Sequence, residues 1–416
     1  MAQVERETSV PEALSNAYEA AAALGGRLRL EYLHRGPYPV TRSQLVRDGS
    51  VCAEGVGKGE GRQAELSAVF EALEHYFLLA SNQTADFLLK PIPEIASQPL
   101  LQADRLIHYV AKSHPDAQAG CALYTDLWNE HLTAWVPLFV VDPTYAAAPI
   151  EGDDLQYREY CRYGTSTGCA AGSTATEACL HGLLESVERD ALGRFFLNRF
   201  NVESDHEVPL LDETYLSTPL LELIGELSAR SQGTVRIIDL TTQVGIPVYM
   251  AECRGRDYPL GAFGCGCSLD PLYAVERAIT ELLQNIVEGR WSLVDSYFRA
   301  AIQHSPNHRR LSLAPDRDVH VRVPLPRGRS PLPVTPSDSF AVALTAARHS
   351  GLVPLVRVTS PPELAVTVVS VYVAGAERFY LARWGHRLDP TGLENLRPET
   401  TPPVVDGLRA LRKRRS

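Results

Sequence analysis

Long hydrophobic runs are missing from this chain. Its most apolar stretches, residues 135–141 and 365–376, fall far short of the roughly 20 residues a helix needs to cross a bilayer. Residues 1–15 carry Glu5, Glu7 and Glu12 and no apolar core, so no secretory signal is expected. Lysine is scarce as well: Lys58, Lys90, Lys112 and Lys413 are the only four, so a lysine in a special setting stands out. The 40 basic residues are outnumbered by 50 acidic ones, a net charge of −10, which argues against a broad nucleic-acid footprint. Eight cysteines (52, 121, 161, 169, 179, 253, 265 and 267) in 416 residues are too few for a disulfide scaffold. They form no CxxC pair and no zinc-ligand spacing, so reduced thiols in a cytoplasmic protein are expected.

What is present describes an ordinary globular chain. With 45% hydrophobic and 22% charged residues it can bury a sizeable core, as two or three domains or one large enzyme domain. The pattern predicts a helix over 11–24, a turn at Gly25-Gly26 and a strand over 28–33. Residues 85–150 read as alternating strands and loops, with a buried strand over 135–141. An amphipathic helix is expected over 209–230, and strands over 235–240 and 248–253. Residues 304–338 are rich in Arg, Pro and Ser and read as a loop or insertion outside the core. A helix over 341–350 and strands over 355–359 and 365–373 follow, and the chain ends on prolines 398, 402 and 403 and a basic cluster over 412–415.

A threefold recurrence is more informative. Three times a Gly-rich segment precedes a helix with a polar stripe at i, i+4 and i+7, one face of a 3.6-residue helix. The first copy is GVGKGEG at 55–61, then Ser67, Glu71 and Glu74. The second is GTSTGCAAG at 164–172, then His181, Glu185 and Glu188, with Glu177 on the same stripe. The third is GAFGCG at 261–266, then Arg277, Glu281 and Gln284.

Two carboxylates three residues apart repel, and near an apolar core the cost grows unless a cation or protons neutralise them. Mg²⁺ prefers oxygen ligands and usually meets one or two carboxylates plus phosphates and water. Three helices offering Glu/Glu, Glu/Glu and Glu/Gln therefore fit Mg²⁺ ions bridging a nucleoside triphosphate. Lys58, in GVGKGEG, is suited to hold phosphate oxygens. Neither common nucleotide fingerprint fits: Gly59 follows Lys58 where a P-loop has Ser or Thr, and no strand ending in an acid follows about 20 residues on.

Together these segments resemble the YcaO family of ATP-dependent peptide-backbone-modifying enzymes, from about residue 55 to 387. The likeness rests on GKG at 57–59, SxxxExxE at 67–74, SxGxAAG at 166–172, ExxxxxxxExxERD at 177–190 and ExxQ at 281–284. It implies an α+β, mixed sandwich-like fold with three Gly-loop/acidic-helix units around one ATP site. It implies a catalytic unit over 55–390, preceded by a helix-and-strand extension over 1–54 and followed by a Pro-containing basic tail over 391–416. By the same resemblance, Lys58, Glu188 and Arg189 are catalytic. Lys58, Ser67, Glu71, Ser166, Glu177, Glu185, Arg189 and Gln284 bind the nucleotide, and Glu71, Glu74, Glu185, Glu188, Glu281 and Gln284 hold Mg²⁺. Three departures stand out: Ser166-Thr167-Gly168 replaces the family's SNG, His75 replaces an Arg after the first ExxE, and the chain lacks a terminal PxPxP.

The activity so implied is a cyclodehydratase component, as in the biosynthesis of thiazole/oxazole-modified microcins and other bacteriocins. A Cys, Ser or Thr of a ribosomally made precursor attacks the preceding backbone carbonyl. ATP phosphorylates the amide oxygen, and loss of phosphate leaves a thiazoline or oxazoline. The same site implies a thioamide with external sulfide or an amidine with an internal amine; a catalytically idle, nucleotide-binding regulatory subunit is the alternative of another class. Residues 1–54 are too few for a fused E1-like clamp. The expected partners are thus a leader-bearing precursor peptide, an E1-like leader-binding protein and an FMN-dependent azoline dehydrogenase, around a homodimer within a complex, with no nucleic acid or membrane.

Overall fold

The computed structural model describes residues 5–83, 87–201, 206–255, 261–313, 315, 318–325 and 333–384. The expected tail over 391–416 lies outside the described residues. Ten helices are described: α1 (Val10–Ala23), α2 (Gln63–Leu78), α3 (Ile92–Ser97), α4 (Arg105–Ser113), α5 (Ala175–Asn201), α6 (Thr218–Ser231), α7 (Pro271–Val287), α8 (Arg290–His304), α9 (Pro306–Leu313) and α10 (Pro336–His349). The strands form three sheets. The first is antiparallel, β1 (Arg27–His34), β2 (Val40–Arg47) and β3 (Ser50–Lys58). The second has the order β11 (Ala262–Cys267), β10 (Val248–Gly255), β9 (Gly233–Asp239), β8 (His206–Leu211) and β12 (Asp318–Val323), with β8 and β12 parallel. The third runs β4 (Leu88–Pro91), β5 (Gln118–Asp126), β13 (Val353–Val358), β14 (Thr367–Ala374) and β7 (Cys169–Gly172), with β6 (Thr133–Pro137) also paired to β5.

The recurrence in the sequence is a recurrence in space. β3, β7 and β11 each form the edge of a different sheet, and each leads directly into an acidic helix, α2, α5 or α7. The helices then close a ring: α2 also touches β7, α5 touches β11 and α7 touches β3. Local chemistry starts them where the sequence says. Asp270 caps α7 by accepting from the Leu272 N–H (2.9 Å), with Pro271 in the first turn. The Thr174 hydroxyl accepts from the Glu177 N–H (3.2 Å) at the start of α5. Each cap satisfies a helix-end donor that otherwise lacks a partner. α5 runs through the core, with Leu180, Leu183, Leu184, Val187, Leu192 and Phe196 all buried.

The glycines take a different part from the one their clustering suggests. Gly55 and Gly57 lie in β3 and Gly264 and Gly266 in β11, as strand and not as phosphate-cradling loop. A Cβ on Gly57 would stand 2.2 Å from Ala64 O and Ala68 N, and one on Gly264 2.2 Å from Leu282 N. The helix backbones thus rest directly on the strand backbones, where only glycine fits.

Several local expectations are corrected. β6 stops at Pro137 and continues as a 3-10 turn, Leu138–Val140, because Pro137 donates no ladder hydrogen bond. Residues 85–150 contain helices α3 and α4 as well as strands. The expected helix over 209–230 is strand β8 and then α6, whose Pro219 sits in its first turn. The stretch 304–338 holds α9, with His308 and Leu311 buried, and edge strand β12. Separately, β3 runs through residue 55, and α1 packs on α2.

Gly57→Ala should therefore lower the thermal midpoint by the equivalent of about 1–3 kcal/mol or more, the cost of overpacking. Gly225→Ala in α6, where nothing lies within 4 Å of the new methyl, should be neutral or stabilising by up to about 1 kcal/mol. Equal midpoints for the two variants would refute the seating of α2 on β3.

Candidate active site

The three acidic helices and the end of β3 enclose a cavity of about 270 Å³. Every residue singled out from the sequence lines it: Lys58, Ser67, Glu71, Glu74, Ser166, Glu177, Glu185, Glu188, Arg189, Glu281 and Gln284. The wall carries eight carboxylates against five lysine and arginine side chains, so it has an excess of negative charge.

Arg189 is the hub. Its Nη1 lies 2.9 Å from Glu188, and its Nη2 lies 3.7 Å from Glu185 and 4.0 Å from Glu281. Lys58 reaches across from β3 to Glu281 (3.5 Å). Backbone donors orient the other acids. The Val56 N–H donates to Glu71 (3.0 Å), the Ala171 N–H to Glu74 (2.8 Å) and the Gly168 N–H to Glu185 (3.0 Å). In the first and second units, then, an acid on the helix is held by its own strand or by the loop leading into it.

Burial dominates the protonation of these groups. It pushes Glu74 well above the usual carboxylate range, against the Ala171 hydrogen bond and with the nearby charges of Glu71 and Glu185 adding to it. It also raises Glu185, and it raises Glu188 to about 7, in both cases against the pull of Arg189. At Glu281 burial acts the same way but is outweighed by Lys58, Arg189, Arg277 and Arg290, and the group ends below its usual value. Burial and the charges of Arg277, Arg6 and Lys58 keep His181 neutral.

The donor set fits Mg²⁺ and phosphate. The side-chain donors are almost all hard oxygens, the negative charge is in excess, and Gln284 Oε1 is buried with no hydrogen-bond partner. Among the described residues no three His, Cys, Asp or Glu side chains converge tightly enough to hold an ion by themselves. Mg²⁺ usually takes one or two carboxylates and completes its shell with phosphate and water.

The cavity also holds residues that sequence reasoning passed over. Arg6 pairs with Glu177 (2.7 Å) and lies over the Phe70 ring, while Glu5 accepts from the Ser268 hydroxyl (2.5 Å) and faces Arg277 (3.8 Å). Arg277 stands on the third polar stripe named from the sequence, at the position that Ser67 and His181 hold on their helices, but was given no role there. Glu5 and Arg6 had no such signal, because α1 packing alone carries them to residues more than 170 positions away.

Residues 56–377 match the family model described as YcaO cyclodehydratase, ATP- and Mg²⁺-binding. The chain is 31% identical over 129 residues to an uncharacterized protein in the tfuA 3' region of Rhizobium leguminosarum bv. trifolii, a match covering 29% of this chain and 30% of that protein. Its fold is similar to a heterocyclase in complex with substrate and cofactor (TM-score 0.66, 19% identity, 90% of this chain and 54% of that one). It is also similar to YcaO from Methanopyrus kandleri bound with AMPPCP and Mg²⁺ (TM-score 0.64, 22% identity, 93% and 97%). The chain thus spans about half of the heterocyclase and matches under a third of the Rhizobium protein.

Glu74→Gln should leave the ligand-free protein at least as stable, because it replaces an acid whose ionisation burial opposes and keeps the acceptor for Ala171. At one hundred times the dissociation constant, Mg²⁺ with a non-hydrolysable ATP analogue should stabilise the wild type by about 2.7 kcal/mol. The variant should lose most of that gain at the same concentrations. A full ligand-induced shift in Glu74→Gln, read by thermal denaturation, would remove Glu74 from the site.

Proposed function

The chain belongs to the YcaO family, and we propose that it activates a backbone amide of a ribosomally made precursor peptide for attack by a neighbouring Cys, Ser or Thr, an ATP-dependent cyclodehydratase forming thiazoline or oxazoline. The observation that carries this reading is the convergence of three acidic stripes on one cavity with Lys58 and Arg189. MgATP supplies the phosphoryl group that makes the amide oxygen a leaving group. Glu71, Glu74, Glu185, Glu188, Glu281 and Gln284 hold the metal and its phosphates, and Ser67, Ser166 and Glu177 hold the nucleotide. Lys58 and Arg189 place positive charge where negative charge develops on the transferring group, and such electrostatic stabilisation usually does more for the rate than any other effect. A leader-binding partner and an azoline-oxidising flavoprotein complete the pathway.

One observation favours a second product. The Rhizobium relative is named for the tfuA region, and a TfuA-type neighbour goes with external sulfide as the nucleophile and a thioamide as the product. The activating step and its residues are unchanged.

Glu188→Gln removes the charge with little change of volume. It should abolish ATP-dependent modification in the reconstituted complex while the fold persists. Unaltered ADP release would overturn the assignment. Mass spectrometry of the wild-type product separates the two chemistries: loss of one water marks an azoline, and exchange of one oxygen for sulfur marks a thioamide.

A further inference from the structure

The family match ends at residue 377, yet the next few residues bond to elements that carry the cavity wall. The Glu377 N–H donates to Asp190 Oδ1 (2.8 Å). Asp190 is fully buried and directly follows Glu188 and Arg189 in α5. The Glu377 carboxylate accepts from the Phe379 N–H (2.9 Å) and so fixes the turn into the 3-10 helix Phe379–Trp384. From that turn the Tyr380 hydroxyl, buried, shares a hydrogen bond with Thr167 Oγ1 (3.0 Å). Arg383 donates to Gly261 O (2.7 Å), at the entry to β11.

Thr167 stands in the middle of the loop that serves the cavity. On one side of it Ser166 lines the wall. On the other the Gly168 N–H donates to Glu185 (3.0 Å). Gly168 is pinned: its φ is +81°, its carbonyl accepts from the Val371 N–H (2.8 Å), and a Cβ would stand 2.0 Å from Val371 O. Within the loop the Ser166 carbonyl accepts from the Cys169 N–H (2.9 Å) and the Thr167 N–H donates to Thr165 Oγ1 (3.3 Å); the Thr167 side chain adds an anchor outside the loop, and Tyr380 holds it.

We propose that Tyr380 is a positioning residue for the nucleotide site, acting through Thr167 to orient Ser166, the loop residue that lines the wall. This rests on the reading of the cavity as an ATP site. It makes residues 377–384 a brace tying the C-terminal part of the chain to the second acidic helix.

The test measures binding of the Mg²⁺ complex of a non-hydrolysable ATP analogue by calorimetry, with thermal midpoints alongside. Tyr380→Phe and Thr167→Val should each weaken binding by up to roughly tenfold, the effect of losing one orienting hydrogen bond, with midpoints close to wild type. The double variant should bind no more weakly than either single one, because both remove the same hydrogen bond. Thr167→Ser, which keeps the hydroxyl, should restore affinity. Ser231→Ala, which removes a buried hydroxyl bonded to Leu227 O (2.6 Å) on α6, a helix with no residue in the cavity wall, should lower the midpoint and leave binding unchanged. Wild-type affinity in Tyr380→Phe, or additive losses in the double variant, would overturn the proposal while leaving the ATP site standing. Failure of the wild type to bind would instead overturn the ATP-site reading, and this proposal with it.

Discussion

Carboxylates brought together away from water repel one another, and the geometry around Arg189 is what this chain sets against that repulsion. One guanidinium stands within 4.0 Å of acids from two helices, Glu185 and Glu188 on α5 and Glu281 on α7. Removing such a partner from buried acids costs several kcal/mol, because an uncompensated charge remains. Arg189 does not neutralise the whole wall. Burial still lifts Glu74, Glu185 and Glu188 above the range of free carboxylates, against the pull of Arg189 on the last two. A divalent cation beside these acids would favour their ionised form.

Repulsion of this kind pushes helices apart unless something stiff holds them, and the glycines supply it. With Gly57 and Gly264 under the helix axes, α2 and α7 lie on strand backbone with no side chain between them to yield. Each helix also leans on the edge strand of a neighbouring unit, so none of the three can retreat without disturbing another sheet. The acids are then oriented by peptide N–H groups of Val56, Gly168 and Ala171, donors that cannot rotate away.

Much of this was legible in the sequence, for a definite reason. The stripes at i, i+4 and i+7 obey a local rule, and a 3.6-residue period survives whatever surrounds it. All eleven residues picked on that basis and on the family likeness line one cavity. The roles of the glycines were not legible, because a Gly-x-Gly that lets a helix approach a strand and one that cradles phosphate look identical in one dimension. Strand β8 was hidden because its apolar run, Val208 to Leu211, sits next to the true helix of α6 and together they mimic one longer amphipathic pattern. Glu5, Arg6 and Tyr380 reach the site or its supporting loop only through tertiary packing, which no short-range pattern encodes.

The three units are not equivalent, and the difference gives the cavity a direction. The ExxE pairs of the first two units are Glu71/Glu74 and Glu185/Glu188, whereas the third unit pairs Glu281 with the neutral Gln284. The third is also where cations gather: Lys58, Arg189, Arg277 and Arg290 together draw Glu281 below its usual range, while burial lifts Glu74, Glu185 and Glu188 above theirs. Positive charge is therefore most favourable beside α2 and α5, and negative charge beside α7 and the end of β3. A ligand that is itself polarised, anionic oxygens on one side and a hard cation on the other, is oriented by that gradient before any specific contact forms. Near-identical motifs thus yield an asymmetric site: the repeated helices supply the frame, and one glutamine and four cations decide which way the charge runs across it.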